Sequence, residues 1–256
     1  MDCRLTRKPT CVLELMDTVD KVRAIETNIE ILKYGELSVT GRLVDASNAT
    51  LFATLVFEGR SIECIYKPVA GERPLWDFPD GTLADREFAA YSISHACGFN
   101  CVPLTILRNG PYGEGMVQEW IDLDESIDLF NFFSSDNPGL RSMALFDAII
   151  NNTDRKIGHL LPTAAGELFG CDHGVTFHSQ NKLRTVLWQW SGDALTALEL
   201  DSLRRTRKII EDELDLTPYL TAIEISALTR RVENLISTAK MPEPNPDWPA
   251  VPWPAF

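Results

Sequence analysis

The first part of the chain alternates apolar and polar residues in short runs, which predicts β-strands. Two such runs lie between Leu37 and Phe57, separated by the turn-forming residues Asp45 to Asn48. A third run, Ile62 to Tyr66, ends at Lys67. Residues 68–81 are rich in proline, glycine and charge, which predicts a loop.

After this loop the spacing changes to that of a helix. Ala84, Phe88, Tyr91 and His95 would share one face, and Gly98 would end the helix. Two more strands are predicted at Pro103–Leu107 and Met116–Ile121.

The second half is mainly helical, with a helix predicted over 139–151. Short strands are then expected near 159–161 and 167–171. Thr217 and Pro218 form a good N-cap and N1 pair for a last helix. The pattern predicts an α+β fold with a β-rich lobe over 1–121 and a mainly helical lobe over 122–240. That two-lobed arrangement is typical of protein kinases.

Residues 241–256 form a separate tail that is rich in proline and tryptophan. It holds six of the fifteen prolines and two of the six tryptophans, so it cannot form a helix or a central strand. We expect a polyproline-like segment, either packed on the body or free to bind a partner. Trp248 and Trp253 would cover an apolar surface, and the tail would be separable from a nucleotide site.

Composition narrows the functional classes. The chain has 256 residues and is 45% hydrophobic, which fits a globular protein. Its net charge of -13 repels nucleic acid and anionic membranes. No apolar run approaches the ~20 residues of a membrane span, and no secretory signal is visible, so we expect a cytoplasmic protein. The six cysteines are scattered, as expected of buried thiols.

The common phosphate-binding and hydrolase motifs are missing, including G-x-x-x-x-G-K-[ST], G-x-S-x-G and H-E-x-x-H. Four residues instead occur in the order that kinases use. Lys67 ends a strand, where it could hold ATP phosphates, and Glu87 lies suitably placed to orient it. Asp154 follows a helix and could orient an attacking hydroxyl. Asp172 follows a short strand and could bind Mg²⁺.

These residues lie in motifs that resemble the phosphatidylinositol 3-/4-kinase-like family, especially its small actinobacterial members. The motifs are IYKP, DREFAAY, MVQEW, NNTDRKIGH and CDHG, and the match runs from about Gly35 to the C-terminal helices. The resemblance implies that Lys67 is the ATP lysine and that Glu87 is its ion-pair partner. It also implies that Asp154 is the catalytic-loop aspartate and Asp172 the aspartate of the metal-binding triplet.

The resemblance implies two further contacts with nucleotide. Gln118, Glu119 and Trp120 would form the hinge whose backbone meets adenine. The loop between the first two strands would cover the phosphates, with Ser47 and Asn48 as donors.

The sequence departs from the family at two positions. Family members carry an asparagine five residues after the catalytic aspartate, where this chain has His159, and His173 replaces the phenylalanine of Asp-Phe-Gly. Imidazole accepts Mn²⁺ more readily than Mg²⁺. We therefore expect His159 and Asp172 to converge on the metal; the alternative is that His159 hydrogen-bonds the catalytic loop. Lys182 and Arg184 would either steer an acidic substrate or be solvated charges.

These observations favour a phosphotransferase that uses ATP with Mg²⁺ or Mn²⁺. Its acceptor would be a protein Ser/Thr or a small soluble alcohol rather than a membrane lipid, because nothing basic and amphipathic is present to dock a bilayer. The alternative is a pseudokinase, a nucleotide-binding regulatory protein without transfer activity. A third possibility is transfer of AMP on the same scaffold.

Overall fold

A computed structural model of the chain describes residues 25–43, 48–79 and 81–256. Five strands form one antiparallel sheet in the order β1-β2-β3-β5-β4. Their bounds are β1 Glu36–Arg42, β2 Leu51–Phe57, β3 Arg60–Pro68, β4 Thr105–Gly110 and β5 Gly113–Glu119. The strands predicted from the alternating pattern are confirmed, with shifts of a few residues at their ends.

Six helices are present in the described ranges, so the fold mixes α-helices with an antiparallel sheet. They are α1 (residues 25–34), α2 Leu83–Ala96, α3 Leu129–Phe133, α4 Pro138–Ile150, α5 Ala197–Asp212 and α6 Ala222–Thr238. A two-stranded hairpin, β6 Leu160–Pro162 and β7 Leu168–Gly170, follows α4. No helix in these ranges is both long enough and apolar enough to cross a bilayer.

Of the four residues predicted to share one face of helix α2, only Ala84 is buried. His95 is exposed and Phe88 and Tyr91 are half-buried, whereas Arg86 and Glu87 are almost fully buried. The helix lies between the sheet and the helical half and contacts both, so most of its surface is covered. A single apolar stripe therefore could not identify its inner face.

The start of α6 also differs from the prediction. Thr217 and Pro218 lie in a turn, and Thr221 is the N-cap, accepting a hydrogen bond from the backbone N–H of Glu224. The Glu224 side chain accepts in return from the Thr221 backbone N–H at 2.9 Å, which completes a capping box. Helix α5 begins with the same device at Thr196, a signal that the sequence interpretation missed.

Two hydrophobic clusters form the interior. The smaller one joins α1 to one face of the sheet, around Leu32, Leu55 and Val117. The larger one joins α2, α4, α5 and α6. The four cysteines in the described ranges are free thiols, at 64, 97, 101 and 171, of which the first three are buried. Cys3 and Cys11 lie outside those ranges.

The tail packs on the body in an irregular conformation. The carbonyl of Ala250 accepts from the backbone N–H of Thr185 at 3.0 Å, and that of Ala255 accepts from Ile157 at 2.9 Å. Trp253 is 92% exposed, so the expectation that it covers an apolar surface is wrong. The tail instead braces the segments that follow α4.

Candidate active site

A cleft of about 430 Å³ collects most of the residues chosen from the sequence. Its walls come from the sheet, the start of α2, the loop after α4 and the tail. The predicted residues on its lining are Asn48, Lys67, Glu87, Asp154, His159 and Asp172. Ser47 lies outside the described residues. Asn48 accepts a hydrogen bond from the backbone N–H of Arg73 at 2.9 Å through its side-chain oxygen.

Lys67 lies at the inner end of this cleft between two carboxylates. Its Nζ atom is 2.7 Å from Oε1 of Glu87, and it also contacts Oδ1 of Asp172. β3 supplies Lys67 and α2 supplies Glu87. Asp172 lies two residues after the end of β7. Three separate elements thus meet at one ammonium group.

The charges at this end reinforce one another. Burial opposes the charge of Lys67, but the nearby carboxylates of Asp172 and Glu87 outweigh it and raise the lysine pKa. The ammonium of Lys67 in turn holds the pKa of Asp172 well below its usual range. The Asp172 side chain is still 48% exposed toward the cleft, so one of its oxygens can meet a ligand.

Asp154 lies on the other wall between two cations. Its carboxylate is 3.4 Å from the guanidinium of Arg184 and 3.6 Å from the ammonium of Lys156. Burial raises the pKa of Asp154, although both cations oppose the shift. A carboxylate with a raised pKa is better suited to accept a proton than a fully solvated one.

His159 stands beside Asp172, with its Nε2 atom 3.3 Å from Oδ2 of that carboxylate. Its Nδ1 atom accepts from the backbone N–H of Lys156 at 3.4 Å, so these neighbours assign the proton to Nε2. Burial lowers the pKa of His159 to about 4, which keeps the ring neutral. This geometry is compatible with the loop-bonding alternative. Metal binding through Nε2 would require the other neutral tautomer, with the proton on Nδ1 and the hydrogen bond from Lys156 lost.

A buried network that the sequence interpretation missed supports the inner end. Arg155 and Asp147 are both fully buried, and their side chains pair at 2.9 Å. Arg155 also lies 2.7 Å from Nε2 of His173, whose backbone N–H donates to Oε2 of Glu87 at 2.9 Å. Burial holds the pKa of His173 far below its ordinary value, so the ring is neutral and accepts from Arg155. The sequence feature that points to this network is Asp147, a single aspartate within the apolar run MALFDAII.

The three hinge residues lie apart from the cleft lining. The Gln118 side chain donates to Thr105 within the sheet at 2.9 Å, and the Glu119 side chain accepts from Asn28. Trp120 packs edge-on against Phe52, with the ring centroids 4.9 Å apart. Their contact with adenine stays a prediction.

The outer end of the cleft is lined by Trp76, Asp77 and Trp248, and Lys182 is buried behind this lining. Lys182 is 3% exposed, and its ammonium lies 2.6 Å from Oδ2 of Asp77. Two tryptophan rings flank it, with centroids at 4.6 Å for Trp76 and 4.8 Å for Trp248. Lys182 is therefore neither a free substrate contact nor a solvated charge, and the tail is part of the cleft wall rather than separable from it.

At the predicted metal site the structure brings together two candidate ligands, His159 and Asp172. Among the described residues, no three His, Cys, Asp or Glu side chains are grouped to hold a metal ion. His159 and Asp172 supply one imidazole and one carboxylate. Mg²⁺ commonly binds through one or two carboxylates together with substrate phosphates, so these residues fit a metal that arrives with a nucleotide.

Comparisons with known proteins identify one clear relative. No protein-family model matches the chain. A solved structure of the Helicobacter pylori proinflammatory kinase CtkA overlaps with a TM-score of 0.44 and 13% identity, over 81% of this chain and 93% of that one. This overlap is too low to establish a shared activity. Protein Rv2133c of Mycobacterium tuberculosis is 42% identical over 263 aligned positions, which cover 88% of this chain and 94% of that protein. The chain therefore belongs to the family of protein Rv2133c.

Proposed function

We propose that the chain is an ATP- and divalent-metal-dependent phosphotransferase with a two-lobed, kinase-like arrangement. The observation that carries this proposal is Lys67 held between Glu87 and Asp172, with Asp154 on the same cleft. Kinases use this combination of charges because phosphoryl transfer depends mainly on positioning and electrostatic stabilisation.

The size and charge of the cleft support a nucleotide. A volume of about 430 Å³ falls within the range of small-molecule sites, roughly 300–1,000 Å³. Its lining mixes four cations with five carboxylates: Lys67, Arg73, Lys156 and Arg184, and Glu72, Asp77, Glu87, Asp154 and Asp172. The cations suit phosphate oxygens and the carboxylates suit the divalent metal that accompanies them.

Each side chain has a defined task in this proposal. Lys67 binds the α- and β-phosphates, and Glu87 orients its ammonium. Asp172 and His159 hold the metal, and Asp154 orients the acceptor hydroxyl or takes its proton. When bound, ATP and its metal supply the transferable phosphoryl group and neutralise its charge. The acceptor is a protein Ser/Thr or a small soluble alcohol.

The test is transfer from labelled ATP. Purified protein is incubated with γ-labelled ATP, Mg²⁺ or Mn²⁺ and a lysate of the source cell, and labelled products are identified by mass spectrometry. We expect labelled product from the wild type and about 100-fold less from Asp154→Asn, because proton transfer by a positioned group contributes about 10²–10⁴. His159→Asn should move the metal preference from Mn²⁺ toward Mg²⁺.

Parallel incubation with α-labelled ATP separates the alternatives. Label from the α-position on product would indicate AMP transfer. ATP binding without either transfer would indicate a pseudokinase and contradict the proposal.

A further inference from the structure

A second cavity, of about 240 Å³, lies in the helical half and shares no lining residue with the cleft. The end of α4, residues 179–183, α6 and the start of the tail form it. Its polar lining consists of Ser179, Asn181, Arg230, Arg231 and Asn234, and no carboxylate lines it. An acid-free pocket with two arginines is unusual in a chain with 37 acidic and 24 basic residues.

Arg231 forms hydrogen bonds within the protein through two of its three side-chain nitrogens. Its Nε atom donates to the carbonyl of Ile149 at 3.0 Å, and its Nη1 atom donates to that of His178 at 3.1 Å. These bonds satisfy the end of α4, where a cation is favourable. The third nitrogen, Nη2, is buried and has no hydrogen-bond partner in the part of the chain that the structure describes.

The charge on this pair of arginines is not neutralised locally. Neither Arg230 nor Arg231 forms an ion pair with any described residue. Glu224, on the same helix, is already bound to Arg86 at 2.6 Å and to Thr221. Burial and the neighbouring Arg230 lower the pKa of Arg231 to about 10, although the charge of Glu224 opposes the shift.

We infer that this cavity binds a phosphate group. The exposed guanidinium of Arg230 would contact its oxygens, and the buried, unpartnered Nη2 of Arg231 would reach them after a small shift of its side chain, since arginine forks match phosphate geometry. Ser179, Asn181 and Asn234 offer further donors. A cavity of about 240 Å³ holds several waters of roughly 30 Å³ each, so it has room for a phosphate and part of the group that carries it.

This site would be coupled to the segment that follows the metal-binding triplet. His178, whose carbonyl Arg231 binds, also accepts from the side chain of Asn151 at 2.9 Å. Asn151 is the left-handed C-cap of α4, three residues before Asp154. A phosphate held by Arg231 would therefore be linked, through the carbonyl of His178 and the side chain of Asn151, to the loop that carries Asp154.

Inorganic phosphate is the first probe, titrated by calorimetry at constant ionic strength. Arg230→Gln is the key variant because Arg230 is exposed and its loss should not affect folding. Arg204→Gln on α5 is the matched control, since it removes the same charge from an exposed position outside the cavity. We expect Arg230→Gln to weaken phosphate binding about tenfold, the effect of one charged hydrogen bond, and Arg204→Gln to leave it unchanged.

Phosphate could also bind in the cleft, so each titration is repeated in a Lys67→Met background. Binding that persists there and is lost on adding Arg230→Gln supports the second site. Binding that is lost with Lys67→Met, or that is as tight in Arg230→Gln as in the wild type, overturns it. Phosphoserine is then compared with inorganic phosphate: tighter binding of the ester identifies a phosphorylated molecule as the source, and tighter binding of the ion identifies free phosphate.

Discussion

The two ends of the cleft each have a lysine, the half-buried Lys67 on the lining and the buried Lys182 behind it, and the two lysines have different surroundings. Lys67 at the inner end faces two carboxylates, one of which, Asp172, is half exposed to the cleft. Lys182 at the outer end faces one carboxylate, Asp77, and two tryptophan rings. Lys67 thus contacts a carboxylate that solvent can reach, whereas Lys182 and the carboxylate that it contacts are largely closed off from solvent.

From this difference we propose a ligand site at the inner end and a structural contact at the outer end. Around Lys67 the carboxylates outnumber the ammonium, so a metal and a phosphate can enter without leaving a charge unpaired. Around Lys182 one carboxylate balances one ammonium, and the aromatic faces cover the rest of it. We therefore expect changes at the inner end to affect nucleotide binding and changes at the outer end to affect stability.

The largest expected effect concerns the fully buried pair behind Lys67. Arg155→Met leaves the Asp147 carboxylate without its cation at 0% exposure, which should lower the free energy of unfolding by about 3–5 kcal/mol. The control Arg204→Met breaks an exposed pair on α5 and should cost about 1 kcal/mol or less. Urea unfolding measures both, and equal effects would contradict a supporting role for Arg155.

The second expectation is a loss of stability in mild acid, because the inner end holds its histidines neutral. The pKa of His159 is about 4 in the folded protein, below the ordinary value of 6.5. Between pH 6.5 and 4 the unfolded chain binds a proton there that the folded chain does not. The free energy of unfolding therefore falls as pH falls through that window, by about 3 kcal/mol for this residue.

Unfolding at a series of pH values measures this slope. His159→Gln should make the slope shallower and leave the part that His173 contributes, whereas His95→Gln, at an exposed position on α2, should leave it unchanged. A slope that is identical in both variants would show that His159 is not the group responsible.

A smaller effect is expected at the outer end. Lys182→Met removes the contact with Asp77 and both aromatic contacts, and should lower the free energy of unfolding by about 1–2 kcal/mol. Lys182→Arg should recover part of the loss because it keeps the charge. Thermal unfolding measures both variants, and an unchanged midpoint in the methionine variant would show that Lys182 does not stabilise the fold.

The sequence allowed the inner end to be predicted better than the outer end. Lys67 closes a strand and Glu87 lies twenty residues on in a helix, so short local patterns were enough to suggest their pairing. Lys182 meets Trp76 and Trp248, which are more than 60 residues away on either side. No periodicity connects such distant loop positions.

The fold shows the same division. The strands follow an alternating pattern that any sheet with one buried face imposes, and they were placed within a few residues. The helical spacing in α2 did not identify its buried residues, because the helix is covered on several sides, including at the charged residues Arg86 and Glu87. The capping boxes at Thr196 and Thr221 have the pattern Thr-x-x-Glu in the sequence, and apolar periodicity alone does not reveal them.

The most direct test compares the two lysines in one experiment. Lys67→Met removes a half-buried ammonium from the cleft lining, and Lys182→Met removes a buried one from behind it. Calorimetry measures the affinity of each folded variant for ATP with Mn²⁺. We predict that Lys67→Met weakens binding at least tenfold, because a charged contact with phosphate is lost, and that Lys182→Met stays close to the wild type. Unchanged affinity in Lys67→Met would contradict the assignment of the inner end as a nucleotide phosphate site.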